Sequence, residues 1–148
     1  MFQSIVAGTD GSDMASMALR QAIELAQRYS ARLCIVSAYE PVSDQRLHNQ
    51  QVEVPKDLEW MVNPRGDVLA TLDAARMRAA DAGVSAVETF ARQGDAADAI
   101  LDVAEEQRAD LIVVGNKGMT GAKRFLLGSV PNKISHHAPC SVLIVRTT

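Results

Sequence analysis

Five short apolar runs alternate along this chain with four stretches of helical spacing, and that order constrains the fold more than any other feature. The runs are "FQSIVAG" at 2–8, "RLCIVSAY" at 32–39, "SAVETFAR" at 85–92, "ADLIVVG" at 109–115 and "CSVLIVRT" at 140–147. Each is too short for a core helix and is bounded by turn residues, so each reads as a strand. Between them, apolar residues recur at helical spacing: Met14, Met17, Ala18, Ala22, Leu25 and Ala26, then Val68, Leu69, Leu72, Ala75 and Ala79, then Ala97, Ile100, Leu101 and Ala104. A last short helix is expected from "SVPNKISHHA". Strand–helix alternation predicts an α/β fold with a parallel sheet and helices on both faces. The 47% hydrophobic content is almost entirely aliphatic, with only 4% aromatic, which favours helices packed on a sheet over a β-sandwich. A chain of 148 residues is the size of one domain, taken here as 1–148.

Punctuation residues sharpen the boundaries. Ser12 or Asp13 can cap the first helix, Gly83 can stop the second, and Asp95 can cap the third. Residues 40–65 break the pattern: they hold Pro41, Pro55 and Pro64, many amides and charges, and Trp60. They read as a long connection with a short helix around 55–60, of a length that in compact domains tends to be functional. Trp60 is a candidate either to anchor that connection over the core or to cover a ligand or a partner surface.

A net charge of −3 argues against a general nucleic-acid or anionic-membrane surface. No apolar run approaches the roughly 20 residues of a membrane span, and the first residues lack a signal-peptide pattern. Cytoplasmic residence is therefore expected. Cys34 and Cys140 each adjoin an apolar run and read as core or near-core thiols, not as a disulfide framework. "HHAPC" invites a metal reading, but Pro139 breaks the helix between His136 and Cys140, so no metal site is expected.

One stretch stands apart from this acidic background. Residues 115–135, "GNKGMTGAKRFLLGSVPNKIS", carry four glycines and no Asp or Glu. Gly115 and Gly118 follow a buried strand; Gly128 and Ser129 precede a helix, with Ser129 as the expected cap and Pro131 in the first turn. Glycines allow close backbone approach, and a helix start offers unpaired N–H groups and a positive dipole end. Lys117, Lys123, Arg124 and Lys133 add charge with no acid in the stretch to cancel it. Lys123 and Arg124 read equally well as a solvated loop surface. The combination is a phosphate cradle. It is neither a Walker A loop nor a G-x-G-x-x-G fingerprint.

The spacing Gly115-x2-Gly118-x9-Gly128-Ser129 resembles the nucleotide-binding motif of the universal stress protein family. The resemblance extends over nearly the whole chain, including "VAGTDGS", "GDAADAI", "ADLIVVGNKG" and "LLGSVPNKISHHAPCSVLIV". "GTDGSD", "GN-x-G", "LLGSVP" and the terminal "TT" resemble small actinobacterial members, among which are cyclic AMP binders. The resemblance implies a Rossmann-like three-layer sandwich with a five-stranded parallel sheet of order 3-2-1-4-5. It implies an adenine nucleotide as ligand: ATP, accompanied by Mg²⁺, or else cyclic AMP or AMP. The implied contacts are Gly8, Thr9, Asp10, Ala38, Val114, Gly115, Asn116, Gly118, Gly128, Ser129 and Val130, with Asp10 at the ribose or adenine and Ala38 offering backbone to the adenine edge. It also implies a homodimer through Val142, Leu143, Ile144 and Val145. Asp10 has a purely local alternative as a turn residue, and Ser12 as a helix cap.

The implied role is a stress-response sensor, store or adaptor. The alternatives are a slow ATP hydrolase and a ligand-free adaptor. The phosphate stretch contains no acid to act as base or metal ligand, so no catalytic residue is assigned.

Overall fold

The structure is a computed structural model that describes residues 1–39, 64–116 and 127–147. Five parallel strands form one sheet in the order β3-β2-β1-β4-β5. They are β1 (Ser4–Gly8), β2 (Arg32–Tyr39), β3 (Val87–Gln93), β4 (Leu111–Gly115) and β5 (Ser141–Val145). The helices among the described residues are α1 (Asp13–Tyr29), α2 (Pro64–Asp81), α3 (Ala96–Glu106) and α4 (Ser129–His137). The architecture is the expected α/β sandwich, with the expected strand order. The expected helix at 55–60, Trp60 and Gly118 lie outside the described residues.

Side chains alternate across a strand, so the apolar runs feed two cores. On one face Ile5, Ala7, Leu33, Ile35, Leu111 and Val113 pack with Leu19, Ala22 and Ile23 of α1 and Leu72, Ala75 and Ala79 of α2. On the other, Val6, Cys34, Val36, Ile112 and Val114 pack with Ala97, Ile100 and Val103 of α3 and Ile134 of α4. Fully burying one such Ile, Leu or Val is worth about 1.5–3 kcal/mol. The central strands β1, β2 and β4 carry most of it, and the outer strands β3 and β5 are only partly covered.

Two helical stripes are offset from the sequence reading. Met17, expected inside, is 49% exposed, while Leu19 and Ile23 are buried. Leu69, also expected inside, is 45% exposed. Both helices are rich in alanine, so several faces carry nearly equal apolar weight, and packing on the sheet decides which one is buried. Capping is closer to expectation. Ser12 Oγ accepts from Ala15 N at 3.1 Å, and Asp95 Oδ2 accepts from Asp98 N at 3.1 Å. Beyond α2, Gly83 stands at φ +94°, the left-handed position that stops the chain.

The amino ends of the strands are locked by polar contacts. Asp110 accepts from Gln3 N at 2.8 Å and Ser4 N at 3.1 Å, and Arg32 donates to Gln107 O at 3.1 Å. The carboxyl ends are organised differently.

Candidate functional site

The sheet order reverses between β1 and β4, because β1 continues towards β2 on one side and the chain returns as β4 on the other. Crossovers leaving such neighbouring strands diverge to opposite faces and open a crevice beyond their carboxyl ends. Gly8 ends β1 there and Gly115 ends β4.

After Gly8, Thr9 N donates to Val36 O at 2.9 Å, which keeps the chain against β2 for one more residue. The turn to α1 is then closed locally. Thr9 Oγ1 accepts from Gly11 N at 3.2 Å, and Asp10 Oδ1 accepts from Ser12 N at 2.9 Å. Gly11 takes φ +81°, and a Cβ on it would lie 3.0 Å from Thr71 Oγ1. Asp10 is thus exposed at the rim with one carboxylate oxygen holding the turn, and Ser12 serves as the helix cap. Ala38 lies half-buried near the end of β2, and Tyr39 O accepts from Gly94 N at 2.8 Å.

On the β4 side the two parts of the glycine stretch meet directly. Asn116 O accepts from Gly128 N at 2.9 Å, so residues separated by 117–127 are bonded together at the crevice. Asn116 N donates to Val145 O at 2.9 Å. Asn116 Oδ1 accepts twice from Thr147, from its N at 2.8 Å and its Oγ1 at 2.9 Å. Val114 is buried in the core below, so its side chain is already committed to packing.

The start of α4 differs from expectation in one respect. The N-cap is Gly128, with no side-chain capping bond, and Ser129 is already the first helical residue. Asn132 N donates to Gly128 O at 3.1 Å, the first intrahelical bond. The N–H groups of Ser129 and Val130 have no acceptor among the described residues, and Pro131, buried in the same turn, has no N–H to offer. Two backbone donors and the positive end of the helix therefore gather at one place. Gly128 has φ −62° and ψ 166°, values open to any residue, so the turn itself does not require glycine there.

Lys133 corrects the sequence reading of uncancelled charge. Its Nζ lies 2.8 Å from Asp98 Oδ1 and 3.5 Å from Asp95 Oδ2, both on the first turn of α3 or its cap. The bond to Asp98 raises the Lys133 pKa, with Asp95 contributing further. The acids that cancel it are distant in sequence, which is why a count within 115–135 missed them. The fate of Lys117, Lys123 and Arg124 lies outside the described residues. Among the described residues no group of three or more His, Cys, Asp and Glu is placed to hold a metal ion. No helix among them is long and apolar enough to cross a membrane.

Gly8 has a second role that the motif did not suggest. A Cβ there would stand 2.4 Å from Ile100 Cδ1 and 3.1 Å from Ile100 Cγ1. The missing side chain allows α3 to close on the sheet just below the rim.

An open parallel sheet of order 3-2-1-4-5, with a glycine-flanked helix start at its reversal point, defines a Rossmann-like α/β protein. The chain belongs to the universal stress protein family, whose sequence profile matches residues 1–146. It is 38% identical over 147 residues to universal stress protein Rv1636 of Mycobacterium tuberculosis H37Rv, covering 99% of this chain and 98% of that one. It is 38% identical over 149 residues to universal stress protein YxiE of Bacillus subtilis, covering 99% and 100%. The crystal structure of a universal stress protein in complex with cAMP aligns with a TM-score of 0.74 at 34% identity, covering 99% of this chain and 98% of that one.

Proposed function

We propose that this chain binds an adenine nucleotide at the carboxyl ends of β1 and β4, and serves as a stress-response sensor, store or adaptor. The observation that carries the reading is the start of α4. Among the described residues, Ser129 N and Val130 N have no acceptor; they stand at the point of strand reversal, tethered to β4 through the Asn116–Gly128 bond. Such a helix start suits a phosphate. Gly128 supports the same reading, since its backbone angles do not call for glycine and close ligand approach would. The cAMP complex of a 34% identical family member supports the adenine class.

In this reading Gly115, Gly118, Gly128, Ser129 and Val130 surround the phosphate and ribose. Gly8, Thr9 and Asp10 form the opposite rim, and Ala38 offers backbone to the adenine edge. Val114 contributes backbone only. ATP, cyclic AMP and AMP are the candidates, and Mg²⁺ would accompany ATP on its phosphates. The role is binding, not turnover. Of the described acids at this end, Asp10 holds its turn, Asp95 caps α3 and Asp98 pairs with Lys133. We place the protein in the cytoplasm as a homodimer through 142–145, because β5 is an outer strand with Leu143 37% exposed.

Calorimetric titration with ATP, AMP and cyclic AMP tests the reading and ranks the ligands. Binding tighter than millimolar, weakened by Gly128→Ala, is expected; no binding to any of the three overturns it. For hydrolysis, phosphate release should not exceed that of the Gly128→Ala variant.

A further inference from the structure

The bonds around Asn116 join three parts of the molecule that the sequence keeps apart. Its backbone N–H holds the end of β5 through Val145 O, and its backbone carbonyl holds Gly128 at the start of α4. Its side-chain oxygen holds the chain end through both donors of Thr147, at 2.8 and 2.9 Å. Thr147 and Asn116 are both partly buried, so these bonds are sheltered from competing water. An amide oxygen has two lone-pair sites, and Thr147 fills both. The Asn116 side chain is therefore turned towards the C-terminal tail.

We infer that Thr147 is a positioning residue for the start of α4, acting through Asn116, and that occupancy of the site and docking of the tail are coupled. The physical path is short. Releasing Thr147 removes two of the bonds that fix the Asn116 side chain, and the same residue's carbonyl is the acceptor that fixes Gly128. Gly128 in turn sets where the Ser129 and Val130 N–H groups point. Linkage makes the effect reciprocal: whatever orders the helix start must also order the tail. The ligand half of this inference rests on the nucleotide reading above; the positioning half does not.

The test uses the full chain with Thr147→Val, Thr147→Ser, Asn116→Ala and the Asn116→Ala/Thr147→Val double variant. Two readouts are taken: hydrogen exchange of the Gly128 amide, and affinity for cyclic AMP and ATP. The Gly94 amide, bonded to Tyr39 O at 2.8 Å across the sheet, is the internal control. Thr147→Val should speed Gly128 exchange and weaken binding by roughly three- to ten-fold, the worth of one neutral hydrogen bond. Gly94 exchange should be unchanged, Thr147→Ser should restore both readouts, and the double variant should be no worse than Asn116→Ala alone. Saturating nucleotide should slow exchange of the Thr147 amide. Equal slowing or speeding of Gly94 and Gly128, an additive double variant, or a Thr147→Val protein that matches wild type overturns the inference. If the wild type binds neither nucleotide, the function proposed above fails, and Gly128 exchange alone then decides the positioning role.

Discussion

Replacing Gly8 by alanine separates two explanations for a glycine at the end of β1. The structure places its missing Cβ 2.4 Å from Ile100 Cδ1 and 3.1 Å from Ile100 Cγ1, with Val114 Cγ1 at 3.6 Å. Ile100 is 4% exposed, so its terminal methyl has little room to retreat. Overpacking of this kind costs about 1–3 kcal/mol, against a total stability of roughly 5–15 kcal/mol for a domain. Ile100→Val alone removes the clashing methyl and should cost about 0.5–1.5 kcal/mol by leaving a small void. In the double variant the new Cβ occupies part of that void, so Gly8→Ala/Ile100→Val should be at least as stable as Gly8→Ala. Urea denaturation of the four proteins reads the cycle, and each kcal/mol should also move Tm by about 2–4 °C. Strictly additive losses would refute the close-approach argument. A stable Gly8→Ala protein with impaired nucleotide binding would instead assign this glycine to the ligand.

Three further outcomes follow from the described contacts. Asp98→Asn should leave Lys133 less neutralised and strengthen binding of an anionic nucleotide at low salt by no more than about five-fold, because the pair is half exposed; an unchanged affinity at low salt would place Lys133 outside the ligand's field. Burial raises the pKa of both Cys34 and Cys140, so neither thiolate should form readily at neutral pH. A thiol reagent should modify partly exposed Cys140 slowly in the native protein and Cys34 only on unfolding; native labelling of Cys34 would contradict the packing of β2. The hydrogen bond from Arg92 lowers the Glu106 pKa. The stability it adds is present above the unfolded carboxyl value and is lost as pH falls through the lowered one. Glu106→Gln should therefore lower stability slightly at neutral pH and converge on the wild type at acid pH, which flattens the acid limb; an unaltered acid limb would remove this pair from the account.

The strands were legible because their signals are local. Short aliphatic runs ended by glycine or turn residues can do little but form buried parallel strands, and α1 and α3 between them carry their own caps. The helix faces were less legible. In α1 and α2, alanine spreads apolar weight around the cylinder, and only the sheet selects Leu19 and Ile23 over Met17, or Leu72 over Leu69. The site divides in the same way. The glycine spacing pointed to the start of α4, but not to the long-range partners around it. Lys133 is cancelled by Asp95 and Asp98 from another helix, and Asn116 is held by Thr147 from beyond β5. Both partnerships had a trace in the sequence, in "GDAADAI" and in the terminal "TT", without any local rule to connect them. Ser129 was misplaced by one position because a serine before a helix reads as a cap, whereas Gly128 already takes the extended cap geometry.

The central claim is that the Ser129 and Val130 N–H groups at the start of α4 receive a nucleotide phosphate. Backbone amide shifts recorded while cyclic AMP or ATP is titrated into the protein test it most directly. Saturable shifts centred on Ser129 and Val130, with smaller ones at Gly115 and Asp10, are predicted. Shifts confined to another surface, such as the 370 Å³ groove lined by Leu69, Leu72, Arg76, Val87 and Thr89 between α2 and β3, would contradict it.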